Sequence, residues 1–384
     1  MYILKLIGKN ALRHRLRTAL TFFGIVVATI AFGLLQTVVD AWYAGAEGAS
    51  NARVVTRNSI SLIFPLPLTY ESKIRAVDGV SAVSYANWFG GVYQEPKNFF
   101  PQFAISGKSY LDLYPEFVLQ EAQRSAFLRD RKGALVGRKL ALAYGFRVGD
   151  SIPIKGTIYP GSWEFVIRGV FDARDNKTDT AQMFFHWDYL NETLKRTAPR
   201  RANQVGVYIV QIKNPDRAAE ITRAIDGQFT NSLAETLSET EKAFQLGFVA
   251  MTETIVVAIR AVSFVVIIII MAVMANTMAM TARERLTEYA TLKAMGFGTR
   301  FLALVIFGES LLISLAAAGV GIVLTFPVAA AFAQRMGTLF PIFQISARTL
   351  WLQLAAALAI GLTAAILPTR RAVTVPIVEG LRRG

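Results

Sequence analysis

Cysteine is absent from this 384-residue chain, and histidine occurs only twice, as His14 and His186. Without cysteine there can be no disulfide, thiol nucleophile or thiolate metal site, and two histidines cannot build a multi-histidine metal centre. Charge is also scarce, since charged residues make up 18% of the sequence and hydrophobic residues 53%. These absences exclude a disulfide-stabilised secreted scaffold, and they argue against a zinc enzyme and an ordinary water-soluble fold.

The motifs of common enzyme classes are missing as well. Gly107-Lys108-Ser109 resembles the end of a phosphate-binding loop, but Gln102 stands where that loop needs its first glycine. The sequence has no Gly-x-Ser-x-Gly, no His-Glu-x-x-His and no calcium-binding loop. No active site can be assembled from it, so we predict that this chain is not an enzyme and carries no catalytic residue, cofactor or metal.

What the sequence does contain is four long apolar stretches without a charge, at residues 18–39, 261–282, 310–334 and 349–369. About 20 apolar residues in a helix cross a hydrocarbon core of about 30 Å. Buried core helices of a soluble protein are usually much shorter, and the first stretch is too long for the apolar part of a signal peptide. We therefore predict four membrane-spanning helices.

Residues 44–247 have an ordinary charged composition with several turn signals. Alternating or β-branched runs predict strands within residues 151–172 and 204–212, and helical patterns predict helices within residues 70–79 and 215–229. The predicted fold is an α-helical integral membrane protein with four transmembrane helices and a large α+β extracytoplasmic domain between helices 1 and 2. The predicted segments are an amphipathic helix (1–17), transmembrane helix 1 (18–43), the extracytoplasmic domain with its stalk (44–247), transmembrane helix 2 (248–282), a cytoplasmic helix (283–299), transmembrane helix 3 (300–334), an external loop (335–348), transmembrane helix 4 (349–369) and a tail (370–384).

Basic residues are concentrated in three of these segments and predict the orientation. Residues 1–17, 283–300 and 370–384 together hold 13 Lys and Arg against 3 Asp and Glu. Because loops rich in Lys and Arg stay in the cytoplasm, both termini and the 283–300 loop are predicted to be cytoplasmic. The net charge of +14 is then explained by topology and by contact with anionic lipids, without nucleic acid.

Three acidic or basic residues near the membrane are candidates for a role beyond topology. The sequence from Asn231 to Arg285 is predicted to be one helix, a stalk that continues into the second span. Glu253 and Arg260 lie seven residues apart on it, about 10 Å along one face. They are interpreted either as interfacial side chains that reach the water or as an ion pair at a dimer seam. Glu309, near the start of the third span, is expected to form an interhelical hydrogen bond or a cap.

The loop TARERLTEYATLKAMGFGTR predicts a short amphipathic helix that ends at a glycine-containing break. This loop resembles the MacB/FtsX-like family of ABC-transporter permeases, which includes the lipoprotein-releasing permeases. The resemblance extends over nearly the whole chain through KNALRHRLRTALTFFGIVVA, GRKLALAYGFRVGDSIPI, Arg283-Glu284-Arg285, Lys293-Ala294-Met295-Gly296, Gly308-Glu309-Ser310-Leu311-Leu312 and PTRRAVTVPIVEGLR.

The resemblance implies a bacterial inner-membrane permease that works with a separate cytoplasmic ABC ATPase dimer, which would bind the ATP and Mg²⁺. It implies a second permease chain, identical or different, with identical favoured, and candidate partners in a periplasmic adaptor protein and an outer-membrane channel. ATP hydrolysis would move the external domain to export or extract a substrate, or alternatively would drive an external cell-wall hydrolase or sensor without transport. The residues expected to couple to the ATPase are Arg283, Glu284, Leu286, Glu288, Tyr289, Leu292, Lys293 and Gly296, with Leu286, Tyr289 and Leu292 as apolar anchors.

Overall fold

The computed structural model describes residues 15–336, 340 and 342–378. Most of the predicted amphipathic helix of residues 1–17 lies outside the described residues. Within the described residues four helices are long and apolar enough to cross a membrane, and we call them span 1 (Arg15–Gly48), span 2 (Glu253–Glu284), span 3 (Thr299–Met336) and span 4 (Ala347–Thr374). The chain divides into two compact units, one containing most of the four spans and the other containing residues 42–252.

The four spans pack through small residues that let the helix backbones approach each other. A side chain at Gly361 of span 4 would begin 2.4 Å from the Ser314 hydroxyl of span 3. The Ser310 hydroxyl of span 3 donates to the Gly361 carbonyl at 2.7 Å. A side chain at Gly321 of span 3 would meet Thr29 of span 1 at 2.7 Å. In a lipid environment such close contacts and interhelical hydrogen bonds, rather than water exclusion, hold helices together.

The second unit is an α+β domain built on one large mixed sheet. Its strands are β1 (Arg53–Asn58), β2 (Leu66–Pro67), β3 (Val80–Trp88), β4 (Gly91–Val92), β5 (Gln102–Ile105), β6 (Phe117–Val118), β7 (Gly133–Gly137), β8 (Ser151–Gly156), β9 (Gly161–Ala173), β10 (Met183–His186), β11 (Gln204–Val205), β12 (Val207–Ile212) and β13 (Thr236–Thr240). The sheet order is β13-β1-β12-β3-β5-β10-β7-β9-β8-β4, with β6 beside β9, and β2 and β11 form a separate pair.

Helices cover this sheet, and their inward side chains form the core of the domain with those of the strands. The helices are α1 (Tyr70–Arg75), α2 (Gly107–Leu113), α3 (Glu121–Arg129), α4 (Arg138–Tyr144), α5 (Trp187–Thr197), α6 (Ala218–Gly227) and α7 (Glu241–Met251), with 3₁₀ turns at Pro199–Arg201 and Pro215–Arg217. The strands β8, β9 and β12 and the helices α1 and α6 fall where the alternating and helical patterns of the sequence predict them.

The predicted uninterrupted helix from Asn231 to Arg285 is wrong. Thr236–Thr240 is instead a strand, which pairs antiparallel with β1 at the edge of the sheet. The Asp226 carboxylate accepts hydrogen bonds from the Thr236 and Ser238 hydroxyls and holds the strand in place. The Thr240 hydroxyl then caps the N-terminus of α7, and the helix is interrupted again at Thr252 before span 2 begins. The β-branched residues Thr236 and Thr240 favour a strand, and Thr240 also caps the helix that follows. These two tendencies outweigh the helical pattern of the surrounding sequence.

A buried arginine joins the two ends of the domain's chain. Arg53, the first residue of β1, donates from Nε to Glu241 at 2.8 Å, and Glu241 is the first residue of α7. Its other nitrogens donate to Glu116 and to the Leu113 carbonyl. The Tyr114 hydroxyl donates to Glu241 at 3.0 Å, and burial raises the pKa of that hydroxyl well above its usual value, so it remains a donor.

Candidate coupling site

A short helix, Leu286–Ala294, connects spans 2 and 3, and we call it the elbow helix. It ends in a Schellman motif, in which the amide of Phe297 donates to the Leu292 carbonyl and that of Gly296 to the Lys293 carbonyl. Gly296 has φ +91°, a left-handed conformation that glycine adopts without strain. The glycine therefore fixes where the elbow helix stops and where the chain turns into span 3.

Arg285 precedes the elbow helix and is buried against span 3. Its Nη1 donates to Glu309 at 2.9 Å and its Nε to Glu288 at 3.1 Å. The Arg285 and Glu309 side chains are only 6% and 5% exposed. A charge this far from water is stable only when it is paired and hydrogen-bonded, so the pair fixes the start of the elbow helix against span 3.

Two more ion-dipole or ion-pair contacts attach the elbow region to spans 1 and 4. Arg17 of span 1 makes two hydrogen bonds of 2.8 Å to Glu284, the last residue of span 2. The Lys293 ammonium donates to the carbonyls of Val373 and Val375 at 2.7 and 2.9 Å. These carbonyls end span 4, where a helix has unpaired acceptors and a negative dipole end. The elbow helix and its flanks are thus tied to all three of the neighbouring spans.

The predicted apolar anchors of the elbow helix face the spans of their own chain. Tyr289 is 3% exposed and belongs to one buried cluster with Ala282, Leu302 and Ala372. Leu292 packs against the same cluster, and Leu286 is half-buried. In this arrangement Tyr289 is not an exposed anchor for another protein. Tyr289 and Leu292 pack instead on the membrane helices of their own chain.

The exposed apolar residues lie instead just after the elbow helix. Met295 is 63% exposed and Phe297 43% exposed. The Phe297 ring lies 4.8 Å from that of Phe301, which fixes its direction. Exposed Arg283 and Arg300 flank the elbow helix at either end. We call the Met295–Phe297 turn, together with these two arginines, the elbow turn.

Glu253 and Arg260 are both exposed on span 2, and the described residues include no ion pair made by either of them within the chain. Glu309 accepts a hydrogen bond from Arg285, which directly precedes the elbow helix. The roles of Arg285 and Arg17 could not be assigned from the sequence. The sequence feature that could have indicated the role of Arg285 is Glu309, because a carboxylate beside an apolar stretch requires a partner of opposite charge.

Two family models match the chain. A MacB-like periplasmic core domain model matches residues 18–228, and an FtsX-like permease C-terminal model matches residues 260–377. A comparison with curated protein sequences finds no match.

Solved structures resemble about half of the chain. One is the extracellular domain of the noncanonic ABC-type transporter YknZ from Gram-positive bacteria, with 12% identity, TM-score 0.35, and coverage of 49% of this chain and 100% of that one. Another is the periplasmic region of MacB from Actinobacillus actinomycetemcomitans, with 8% identity, TM-score 0.36, and coverage of 53% and 94%. The two family models together cover more of the chain than either structure, from span 1 through most of the external domain and again from span 2 through span 4. The chain is a multi-pass membrane protein that belongs to the MacB/FtsX-like family of ABC-transporter permeases.

Proposed function

We propose that this chain is the permease subunit of an ABC complex in a bacterial inner membrane. A separate cytoplasmic ATPase dimer binds ATP and Mg²⁺, and its movement is transmitted through the elbow helix to the spans and the external domain. The substrate is exported or extracted at the outer face by that mechanical movement. The observation that carries this proposal is the elbow helix itself, since buried or paired cations attach its region to spans 1, 3 and 4. A mere linker between spans would not need those three attachments.

The proposal places both termini and the elbow helix in the cytoplasm, because Lys and Arg exceed Asp and Glu there. Ala219→Cys and Thr291→Cys test this orientation at two exposed positions, one in the external domain and one on the elbow helix. The chain has no cysteine of its own, so each variant carries a single thiol. We expect a membrane-impermeant maleimide to label Ala219→Cys in intact cells and Thr291→Cys only after permeabilisation. Labelling of Thr291→Cys in intact cells would contradict the proposed orientation.

The elbow turn is the part of this region that a cytoplasmic ATPase can contact. Met295 and Phe297 expose large apolar side chains, and Arg283 and Arg300 supply charges around them. Apolar anchors at the centre of a contact carry most of its binding energy, whereas charges at its rim contribute little. We therefore assign the contact to Met295 and Phe297 and give Tyr289 and Leu292 the role of fixing the elbow helix on the spans.

The functional test is the replacement of both exposed anchors by alanine. Met295→Ala with Phe297→Ala is expected to weaken association with the ATPase by about 1–3 kcal/mol per anchor, roughly tenfold or more in affinity. Association is measured by co-purification from membranes, and coupling by the ATP hydrolysis rate of the assembled complex. Met280→Ala is the matched control, because Met280 is similarly exposed but lies within span 2. Normal ATPase binding and hydrolysis in the double variant would contradict the coupling role of the elbow turn.

The proposal also includes a second permease chain, identical to the first. Span 2 is the least buried of the four spans, because only 22% of the residues in its apolar stretch are buried within the chain. Its exposed side chains include Ile255, Phe264, Ile268 and Ile269, so a broad apolar face is available for a helix of another chain or for lipid. We place the seam between the two chains along spans 1 and 2, with exposed Glu253 and Arg260 near the outer end of span 2 where a partner chain can supply the opposite charges.

A further inference from the structure

The Gln353 side chain of span 4 forms hydrogen bonds to spans 1 and 3 and so connects three of the spans. Its side chain is 1% exposed, and its Nε2 donates to the Thr29 carbonyl of span 1 at 2.9 Å and to the Thr325 hydroxyl of span 3 at 3.0 Å. Span 1 makes room for it with Gly33, where an added side chain would begin 2.1 Å from Nε2. A polar side chain inside a bundle of spans is expensive to place and usually has a function.

The orientation of the Gln353 amide follows from its partners. A backbone carbonyl only accepts hydrogen bonds, so the nitrogen, not the oxygen, must face Thr29. The Oε1 atom is then directed elsewhere, and it has no hydrogen-bond partner among the described residues. A buried acceptor without a donor destabilises the arrangement that holds it. The Gln353 amide therefore holds the three spans with two hydrogen bonds from its nitrogen, while its oxygen forms none within the described residues.

Span 3 has a weak point beside this junction. Pro327 lies inside the helix, two residues after Thr325. Proline has no N–H, so the helical hydrogen bond to the carbonyl four residues earlier, here that of Val323, cannot form. Thr325, which accepts the hydrogen bond from Gln353, lies within this turn. One side chain thus holds the segment of span 3 that has lost its own hydrogen bond.

We propose that Gln353 is a hydrogen-bond latch that holds the proline turn of span 3 against spans 1 and 4. When the latch opens, the last part of span 3, residues 328–336, moves about the proline as a hinge, and the Gln353 amide can turn so that Oε1 accepts a hydrogen bond. The unpaired Oε1 lowers the stability of the closed state and so favours its opening. This device is independent of whether the elbow helix docks on an ATPase.

The test uses a single thiol on each side of the proline. Ala329 and Ala317 are both buried in span 3, after and before Pro327, and the chain has no native cysteine. Ala329→Cys and Ala317→Cys are each combined with Gln353→Leu, and their labelling by a small methanethiosulfonate is timed in the purified full-length protein. From the usual strength of an interhelical hydrogen bond in a membrane protein, we expect Gln353→Leu to raise the labelling rate at position 329 by about three- to fifteenfold. The rate at position 317 should stay unchanged.

Thr325→Val keeps the shape of the threonine and removes the bond from Gln353 to span 3, together with the bond of the Thr325 hydroxyl to the Gly321 carbonyl of its own helix. It should reproduce the effect if Gln353→Leu does not fold. Thr363→Val is the control, because the Thr363 hydroxyl bonds only to carbonyls of its own helix. An unchanged rate at position 329 would overturn the latch. Equal acceleration at both positions would also overturn it, since the whole bundle would then have loosened rather than the segment beyond the proline.

Discussion

Glu309→Ala is expected to lower the free energy of unfolding of the membrane unit by about 3–5 kcal/mol. The substitution leaves the buried guanidinium of Arg285 without its closest carboxylate, which lies 2.9 Å away. The remaining partner, Glu288, is 40% exposed and cannot replace the charge that is lost inside. Thermal unfolding of the purified protein in lipid nanodiscs measures the effect, with tryptophan fluorescence as the signal.

The same arginine provides the control for that experiment. Glu288→Ala removes the other carboxylate bound to Arg285, at 3.1 Å, but from the solvent side. Glu288 is partly hydrated, and an ion pair of a hydrated carboxylate contributes about 0–1 kcal/mol, so this variant should unfold close to the parent protein. If Glu309→Ala were no more damaging than Glu288→Ala, the elbow helix would not be held by a buried ion pair, and its attachment to span 3 would depend on Tyr289 and its neighbours instead.

The spans could be predicted from the sequence because their signal is local. A run of about 20 apolar residues has one stable outcome in lipid, and all four predicted runs lie within long helices. The sequence signal for the end of the elbow helix is also local, because Gly296 adopts the left-handed conformation that terminates the helix. Local rules of this kind need no knowledge of the rest of the chain.

The apolar face of the elbow helix was visible in the sequence, but its partner was not. Periodicity shows that Leu286, Tyr289 and Leu292 share a face, and it does not show what that face contacts. In the structure the contact is the chain's own spans, and the exposed apolar surface is the turn at Met295–Phe297. The helix-to-strand change at Thr236–Thr240 has a similar origin, because its partner β1 lies far away in the sequence.

Ion pairs between distant residues were beyond the reach of sequence patterns for the same reason. Arg53 meets Glu116 and Glu241, which are 63 and 188 residues away along the chain. Nothing in the sequence around Arg53 separates it from Arg57, four residues later in the same strand. Only the folded sheet distinguishes them: the side chain of Arg53 is 8% exposed, and that of Arg57 is 21% exposed with a single carboxylate partner, Glu239, at 3.2 Å.

Arg53→Met is accordingly expected to destabilise the external domain by about 3–5 kcal/mol, because Glu241 and Glu116 lose the cation between them and Glu241 is nearly buried. Arg57→Met, the matched control, should cost about 0–1 kcal/mol. Hydrogen–deuterium exchange of the full-length protein measures both, at the amides of β1 and β13. The acceleration with Arg53→Met should also reach the first turn of α7, because Glu241 accepts from both Arg53 and the Ser50 amide. Faster exchange confined to β1, with α7 unaffected, would mean that Arg53 stabilises its own strand and does not join the two ends of the domain.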